Sequence, residues 1–277
     1  MRLSISLLHK LINPYTMGPI KQRLNHAKQT IKDLPGINQW MCGGFRSAAI
    51  AAELLRNGKI IAIPTDTIYG LAGLAQNDDA ISKLYDIKKR DASKPVAICL
   101  WNVKCIPDWA NTEDLPTGLV DALLPGPFTL VLKRKETLNK SLNPGVENVG
   151  IRVPNSPFIL SVVKMLDQPI ALTSANESNQ RSTLHPSEFE NLWPELDGVF
   201  YEHVGLGIQK QSWRNGSTVI DLSIKGKYTI LRKGIGYQKA INHLNKYKLQ
   251  QIIKKKCKEK SKESNEEECK ISETAQC

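Results

Sequence analysis

The sequence predicts one α/β domain over about residues 45–238, a mixed sheet covered by helices. Three observations lead there. Strand-sized apolar runs recur ("IIAIP", "VAICL", "FTLVLKR"), and none reaches the roughly 18 residues a membrane-spanning helix needs. Segments with apolar side chains four residues apart lie between the early runs, so helices and strands alternate. Near the end, "STVIDLS" and "YTILRKG" follow each other directly, which makes adjacent strands without a crossover helix.

In chain order, "SAAIAAELLRNG" sets Ile50 and Leu54, and Ala51 and Leu55, on one helical face, with Ser47 as N-cap and Gly58 as the stop. "IIAIP" is a buried strand. "DDAISKLYDIKKR" repeats the helical spacing through Ile81, Leu84, Tyr85 and Lys88, and "VAICL" is the next strand. "GLVDALLPG" is a helix closed by Pro125, "FTLVLKR" and "VGIRVP" are strands, "PFILSVVKML" is a helix and "PIALTSA" a strand.

The formal charge of +11 divides unevenly. Residues 1–46 carry 7 Lys/Arg and 1 acid, residues 246–277 carry 9 and 6, and the stretch between carries 22 against 20. Basicity therefore belongs mainly to the ends, which weakens any expectation that the whole surface binds a polyanion. Residues 1–44 form a basic extension with no Asp or Glu before Asp33, the composition of a mitochondrial presequence, so cytoplasmic residence with a mitochondrial share is expected. Residues 239–277 read as a charged, disordered tail. The 6 cysteines include no C-x-x-C pair, which argues against both a disulfide framework and a zinc site.

Ligands of open α/β sheets sit in crevices beyond strand ends, so the residues ending each strand are the candidates. "IIAIP" runs into Thr65-Asp66-Thr67. "KKRDASKP" precedes "VAICL" with Lys88, Arg90, Ser93 and Lys94. Arg152 lies inside the apolar "VGIRVP", "IALTSAN" ends in Thr173, Ser174 and Asn176, "GSTVIDL" opens on Ser217 and Thr218, and "TILRKG" carries Arg232 and Lys233. Singly, these groups are compatible with helix-dipole complements, hydroxyl-rich turns or a structural ion pair at Arg152. Together they suit an anionic, oxygen-rich ligand: forked guanidinium for phosphate or carboxylate, ammonium as point charge, hydroxyls for orientation. There is no G-x-x-x-x-G-K-[ST], H-E-x-x-H or G-x-S-x-G pattern, and the 5 histidines are scattered. Cys99, inside "VAICL", reads as a small core residue or pocket wall rather than a nucleophile.

The ordered set "PTDTIYGL", "KKRDASKPVAI", "LLPGPFTLVL", "VGIRVP", "LTSAN", "GSTVIDL" and "ILRKG" resembles the YrdC-domain family, the threonylcarbamoyl-AMP synthases, in their animal form. That resemblance implies a twisted open sheet of the YrdC/DHBP-synthase-like kind with a concave basic face. It implies conversion of L-threonine, bicarbonate and ATP, with Mg2+ carried by the ATP, into L-threonylcarbamoyl-AMP and pyrophosphate. The product would serve tRNA modification, with a pathway link to the threonylcarbamoyl-transferase complex. It further implies that Thr67, Arg152, Ser174 and Ser217 meet L-threonine and that Arg90, Lys94, Asn148, Asn176, Ser182 and Arg232 meet ATP. Lys88 and Arg90 would carry charge stabilisation at the α-phosphate. In some relatives the position of Cys99 is His, and the usual Ser-Gly after "SAN" is here Ser178-Asn179.

Two other readings suit the same residues. A non-enzymatic RNA-binding or regulatory module would use the basic face for a weak RNA contact, but exposed aromatics are not interleaved among the cationic motifs. A sugar-phosphate synthase would need clustered carboxylates, and Asp66 stands nearly alone among the motifs.

Overall fold

The computed structural model describes residues 39–89, 95–178, 180–202 and 211–252. Residues 1–38 of the expected presequence, residues 253–277 of the expected tail, and Arg90, Ser93 and Lys94 lie outside the described residues. The chain runs β1 (Gln39–Cys42), α1 (Gly44–Arg56), β2 (Ile61–Ile63), β3 (Gly70–Leu74), α2 (Asp78–Ile87), β4 (Ala97–Cys99), α3 (Ile106–Trp109), α4 (Leu119–Leu123), β5 (Phe128–Lys133) and β6 (Asn148–Arg152). It continues through α5 (Pro157–Leu166), β7 (Ile170–Ser174), β8 (Gly198–Glu202), β9 (Thr218–Asp221), β10 (Lys227–Arg232), α6 (Tyr237–Lys246) and β11 (Gln250–Gln251). Short 3-10 segments at Pro186–Glu195 and Gln211–Asn215 flank β8 and precede β9.

The strands form one mixed sheet in the order β1-β8-β2-β3-β7-β4-β6-β5-β9-β10-β11. Alternation along β2 shows how the sheet divides two cores. Ile60 and Ala62 face one layer, packed by Leu84 of α2, Ile106 of α3, Leu123 of α4 and Leu244 of α6. Ile61 and Ile63 face the other, packed by Ala51 and Leu55 of α1 and Val162 and Leu166 of α5. The second layer draws strand residues from β2, β3, β4, β7 and β8 and from no described residue of β5, β6, β9 or β10. Half of that face thus has no described helix over it, and the candidate site lies there.

Several elements differ from the sequence expectation. The fold already includes β1, before residue 45, which pairs in parallel with β8 (Gln39 with Val199). It also passes 238: α6 buries Ala240 and Leu244, Leu249 is buried behind them, and β11 pairs with β10. The cause is a sparse apolar stripe at i and i+4 among lysines and asparagines, which composition reads as a tail. Ser47 is not the N-cap of α1. Gly43 is, and Ser47 sits a turn inside, its hydroxyl accepting from Gly43 N at 3.0 Å and reaching Gly43 O at 3.1 Å. The strand β3, "GLAGL", has no counterpart among the strands expected from the sequence, yet it is buried between β2 and β7. A Cβ at Gly70 would fall 2.6 Å from Leu172 Cδ1 and one at Gly73 2.7 Å from Ile60 Cδ1, so side chains from the neighbours occupy the space.

Asp197 joins β2, β8 and α2. Its carboxylate accepts from Ile60 N at 2.9 Å and Lys83 Nζ at 2.7 Å, with Lys59 Nζ at 3.5 Å. Burial works against its charge, but the Lys83 hydrogen bond, the Ile60 amide and the two lysine charges outweigh it and hold the pKa below the usual carboxylate value. A depressed folded pKa stabilises the fold above about pH 4 and is lost as pH falls through that folded value. Asp197→Asn is therefore expected to cost on the order of 1 kcal/mol at neutral pH. In urea melts the gap to wild type should close as the pH is lowered; a gap that is the same at pH 7 and pH 3 would refute the assignment.

Candidate functional site

Register, rather than strand ends, explains the convergence of the polar residues. Cys99 of β4 pairs with Arg152 of β6, Thr129 of β5 with Val219 of β9, and Val219 with Arg232 of β10. The antiparallel β5–β6 register, Leu130 with Ile151, sets Thr129 opposite Arg152. Cys99, Arg152, Thr129, Val219 and Arg232 therefore make one row across five strands on the face without a helix. Three strand spacings put the Cα atoms of Arg152 and Arg232 about 14 Å apart. Desolvation first, then the charge of Arg152, lowers the pKa of Arg232, so the two guanidiniums act within one field.

The expected crevice beyond strand ends is corrected by the same register. Ile63, Gly70 and Ser174 lie together at one end of the sheet, whereas Cys99, Arg152 and Ile170 lie at the other. Thr67 nevertheless accepts from Arg152 Nη2 at 3.0 Å, and Asp66 Oδ1 takes the same nitrogen at 2.8 Å. The Pro64–Tyr69 run must fold back over the sheet to reach it, so the site lies on a face. Asp66 is fixed further by Asn155 N, which donates to Oδ2 at 3.0 Å. Thr65 ties the run internally, accepting from Thr67 N at 3.1 Å and donating to Ile68 O at 2.7 Å.

Arg152 makes the structural ion pair its sequence position allowed and keeps a donor besides. Its pair with Asp66 is a buried ion pair, with 9% and 8% of the two side chains exposed, while its Nε is buried with no hydrogen-bond partner. Buried donors are nearly always satisfied, so an orphan on this row points to a ligand acceptor. At the far end of the row Ser217 is buried; its hydroxyl shares a hydrogen bond with Thr129 at 2.8 Å and accepts from Arg232 Nη2 at 2.9 Å. Arg232 Nε donates to Ser217 O at 3.0 Å. Asn148 lies on the same face as Arg152, four residues or about 13 Å along β6.

The "TSAN" loop is held from beneath by Lys88. This buried side chain donates to Ser174 O at 2.7 Å and to Asn176 O, with Ser174 Oγ at 3.5 Å. The assignment of Lys88 to phosphate meets a different geometry here, because its ammonium is engaged with the loop's backbone. Asn176 donates to Glu177 O at 2.7 Å and Gln180 O at 2.9 Å, leaving Oδ1 buried and without a partner; Ser178 Oγ is also buried and unpartnered. Ser182 lies downstream, its carbonyl accepting from Arg214 at 2.8 Å. Cys99 is wholly buried and its thiol is pushed up to about 12, chiefly by burial, against the pull of Arg152. It is a neutral wall.

Beside the row, a cleft of about 220 Å³ is lined by Pro64, Thr67, Tyr69, Leu184, Glu202 and Trp213 among others. Burial first, and nearby Cys42 and Glu202 charge, hold the Tyr69 hydroxyl protonated well above its ordinary range. Leu184, Trp213 and Arg214 carry no motif signal of their own, and Thr129, inside "LLPGPFTLVL", was not singled out. Thr129 was open to discovery through alternation in "FTLVLK"; the others come together only in three dimensions.

A profile of the Sua5/YciO/YrdC family, described as telomere recombination, matches residues 53–234. The chain is 43% identical over 209 residues to threonylcarbamoyl-AMP synthase of Bos taurus, covering 75% of each. It is 46% identical over 193 residues to threonylcarbamoyl-AMP synthase of Homo sapiens, covering 69% of this chain and 68% of that one. Among solved structures, Pyrococcus abyssi Sua5 complexed with L-threonine aligns at TM-score 0.64 and 25% identity, over 77% of this chain and 62% of that chain. Escherichia coli YciO aligns at TM-score 0.63 and 22% identity, over 73% of this chain and 97% of that one, a likeness of fold alone.

Proposed function

This chain belongs to the Sua5/YciO/YrdC family, and we propose that it is a nucleotidyltransferase that forms L-threonylcarbamoyl-AMP and pyrophosphate from L-threonine, bicarbonate and MgATP. The observation that carries this is the row from Arg152 to Arg232 on the helix-free face, with Arg152 Nε buried and unsatisfied. A carboxylate accepting from Arg152 would complete that guanidinium, with Thr67 and Ser217 hydroxyls on either side. Threonine's amine captures bicarbonate as a carbamate with loss of water. A carbamate oxygen then attacks the ATP α-phosphorus, the bond to the pyrophosphate oxygen breaks, and pyrophosphate leaves. Such a displacement needs alignment and charge neutralisation more than a proton shuttle.

In this reading Thr67, Arg152, Ser174 and Ser217 hold L-threonine, while Asn148, Asn176, Ser182 and Arg232 meet ATP. Arg90 and Lys94 are assigned to the phosphates from their motif alone. Lys88 acts at one remove, by shaping the loop that carries Ser174 and Asn176. The adenylate would pass to the threonylcarbamoyl-transferase complex for tRNA modification, without requiring more than a weak RNA contact here. Among the described residues no helix is long and apolar enough to cross a membrane. Cytoplasmic residence with a mitochondrial share rests on the composition of residues 1–44, and a reporter fused to them that stays diffuse would remove the mitochondrial part.

The test is incubation of the purified protein with ATP, magnesium, bicarbonate and L-threonine, following pyrophosphate and the mass of the adenylate. Release should require both threonine and bicarbonate and be lost in Arg90→Ala. Folded protein that releases none would overturn the assignment.

A further inference from the structure

Two segments that the motifs leave unexplained meet across the cleft. The first, Ser182 to Glu188, supplies the wall residue Leu184 and is tied into the site by Thr183, whose hydroxyl donates to Ala175 O at 2.9 Å and whose carbonyl accepts from Tyr69 N at 3.0 Å. The second, Gln211–Asn215, supplies the wall residue Trp213 and leads into Gly216 and Ser217. Gly216 N donates to Trp213 O at 3.0 Å, so the position of Trp213 is passed directly to the residue before Ser217.

One ion pair joins the two segments. Arg214 Nη1 donates to the Glu188 carboxylate and, at 2.8 Å, to Ser182 O. The other carboxylate oxygen of Glu188 accepts from Leu184 N at 3.3 Å and His185 N at 3.2 Å. Arg214 is 15% exposed and Glu188 30%, so the pair is shielded enough to fix geometry yet not so deep that the fold depends on it. Trp213 is 43% exposed, and among the exposed large apolar side chains it is the one on the cleft wall.

We propose that Arg214, through Glu188, is a positioning residue for the amino-acid substrate: the pair holds Trp213 opposite Leu184 and so fixes Ser217 against Thr129 and Arg232. The proposal rests on the function given above. Releasing the pair disturbs binding of L-threonine, because the wall and Ser217 shift, and it touches the ATP side through Ser182 and Arg232.

The experiment is steady-state pyrophosphate release by the full chain, wild type alongside Arg214→Gln, Arg214→Lys, Glu188→Gln and the Arg214→Gln/Glu188→Gln double variant, with thermal melts of each. Arg214→Gln and Glu188→Gln are each expected to raise KM for L-threonine about ten-fold with kcat held within about two-fold, as for a lost charge-assisted hydrogen bond. Arg214→Lys should recover most of the loss, and the double variant should be no worse than either single one, since they remove one interaction. An unchanged KM, a fall in kcat with KM held, or single effects that multiply in the double variant would overturn the proposal. If Arg214→Gln does not fold, Glu188→Gln and Arg214→Lys decide the same question. Wild-type protein without threonine-dependent release would instead overturn the functional assignment, so the two failures are told apart by the first trace.

Discussion

Arg152→Ala is expected to lower kcat/KM for L-threonine by about a hundred- to a thousand-fold, the equivalent of roughly 3–4 kcal/mol of lost binding to the bound substrate and transition state. The expectation follows from the donors available. Nη2 is spent on Asp66 and Thr67, and the buried Nε is left for a carboxylate. Removal also strands Asp66, whose side chain is 8% exposed and which keeps the hydrogen bond from Asn155 N. Breaking a buried pair from one side typically costs about 3–5 kcal/mol of stability, so a melt must accompany the kinetics. Arg152→Lys separates the two effects: it keeps a charge opposite Asp66 but loses the planar fork, and should restore stability more than it restores KM. Threonine titrations of pyrophosphate release at saturating ATP supply the measurement. Full activity of a folded Arg152→Ala protein at low threonine would remove Arg152 from the substrate site.

Much of this was open to inspection in the linear sequence, and the parts that were not share a physical cause. Strands such as "IIAIP" and "FTLVLKR" announce themselves because both faces or one whole face are apolar. Strand β3 does not, since neighbours' side chains fill the space over Gly70 and Gly73 and a glycine-rich strand looks like a turn. Helix α6 hides because two buried positions, Ala240 and Leu244, suffice to dock it. At the site, Thr67, Arg152, Ser217 and Arg232 were legible as polar groups breaking apolar runs. Their arrangement in a row was not, because it depends on registers between strands far apart in sequence: Cys99 with Arg152, and Val219 with Arg232. Arg214 and Glu188 were wholly silent, being an ordinary surface pair until the fold brings Trp213 and Leu184 into the lining of one cleft.

Lys88, expected at the phosphates, is bonded instead to the carbonyls of Ser174 and Asn176, and Lys88→Met tests what that contact does. Methionine keeps the length and most of the apolar stem but offers no donor, so Ser174 O and Asn176 O lose the ammonium beneath them. Hydrogen bonds to a charged group contribute about 1.5–3 kcal/mol each, and the relief of not burying an ammonium offsets part of that, leaving an expected net loss near 2–3 kcal/mol. The larger effect falls on function. Ser174 and Asn176 hang on those carbonyls, and if their side chains meet L-threonine and ATP as proposed, loosening the loop should raise KM for both. Amide exchange over residues 174–178 should speed up well before the exchange of β7 does, because the support removed is local. If exchange there is unchanged and only the rate constant for the chemical step falls, Lys88 touches the reacting phosphate itself when substrate is bound, and its bonds to the loop are a resting arrangement exchanged during the reaction.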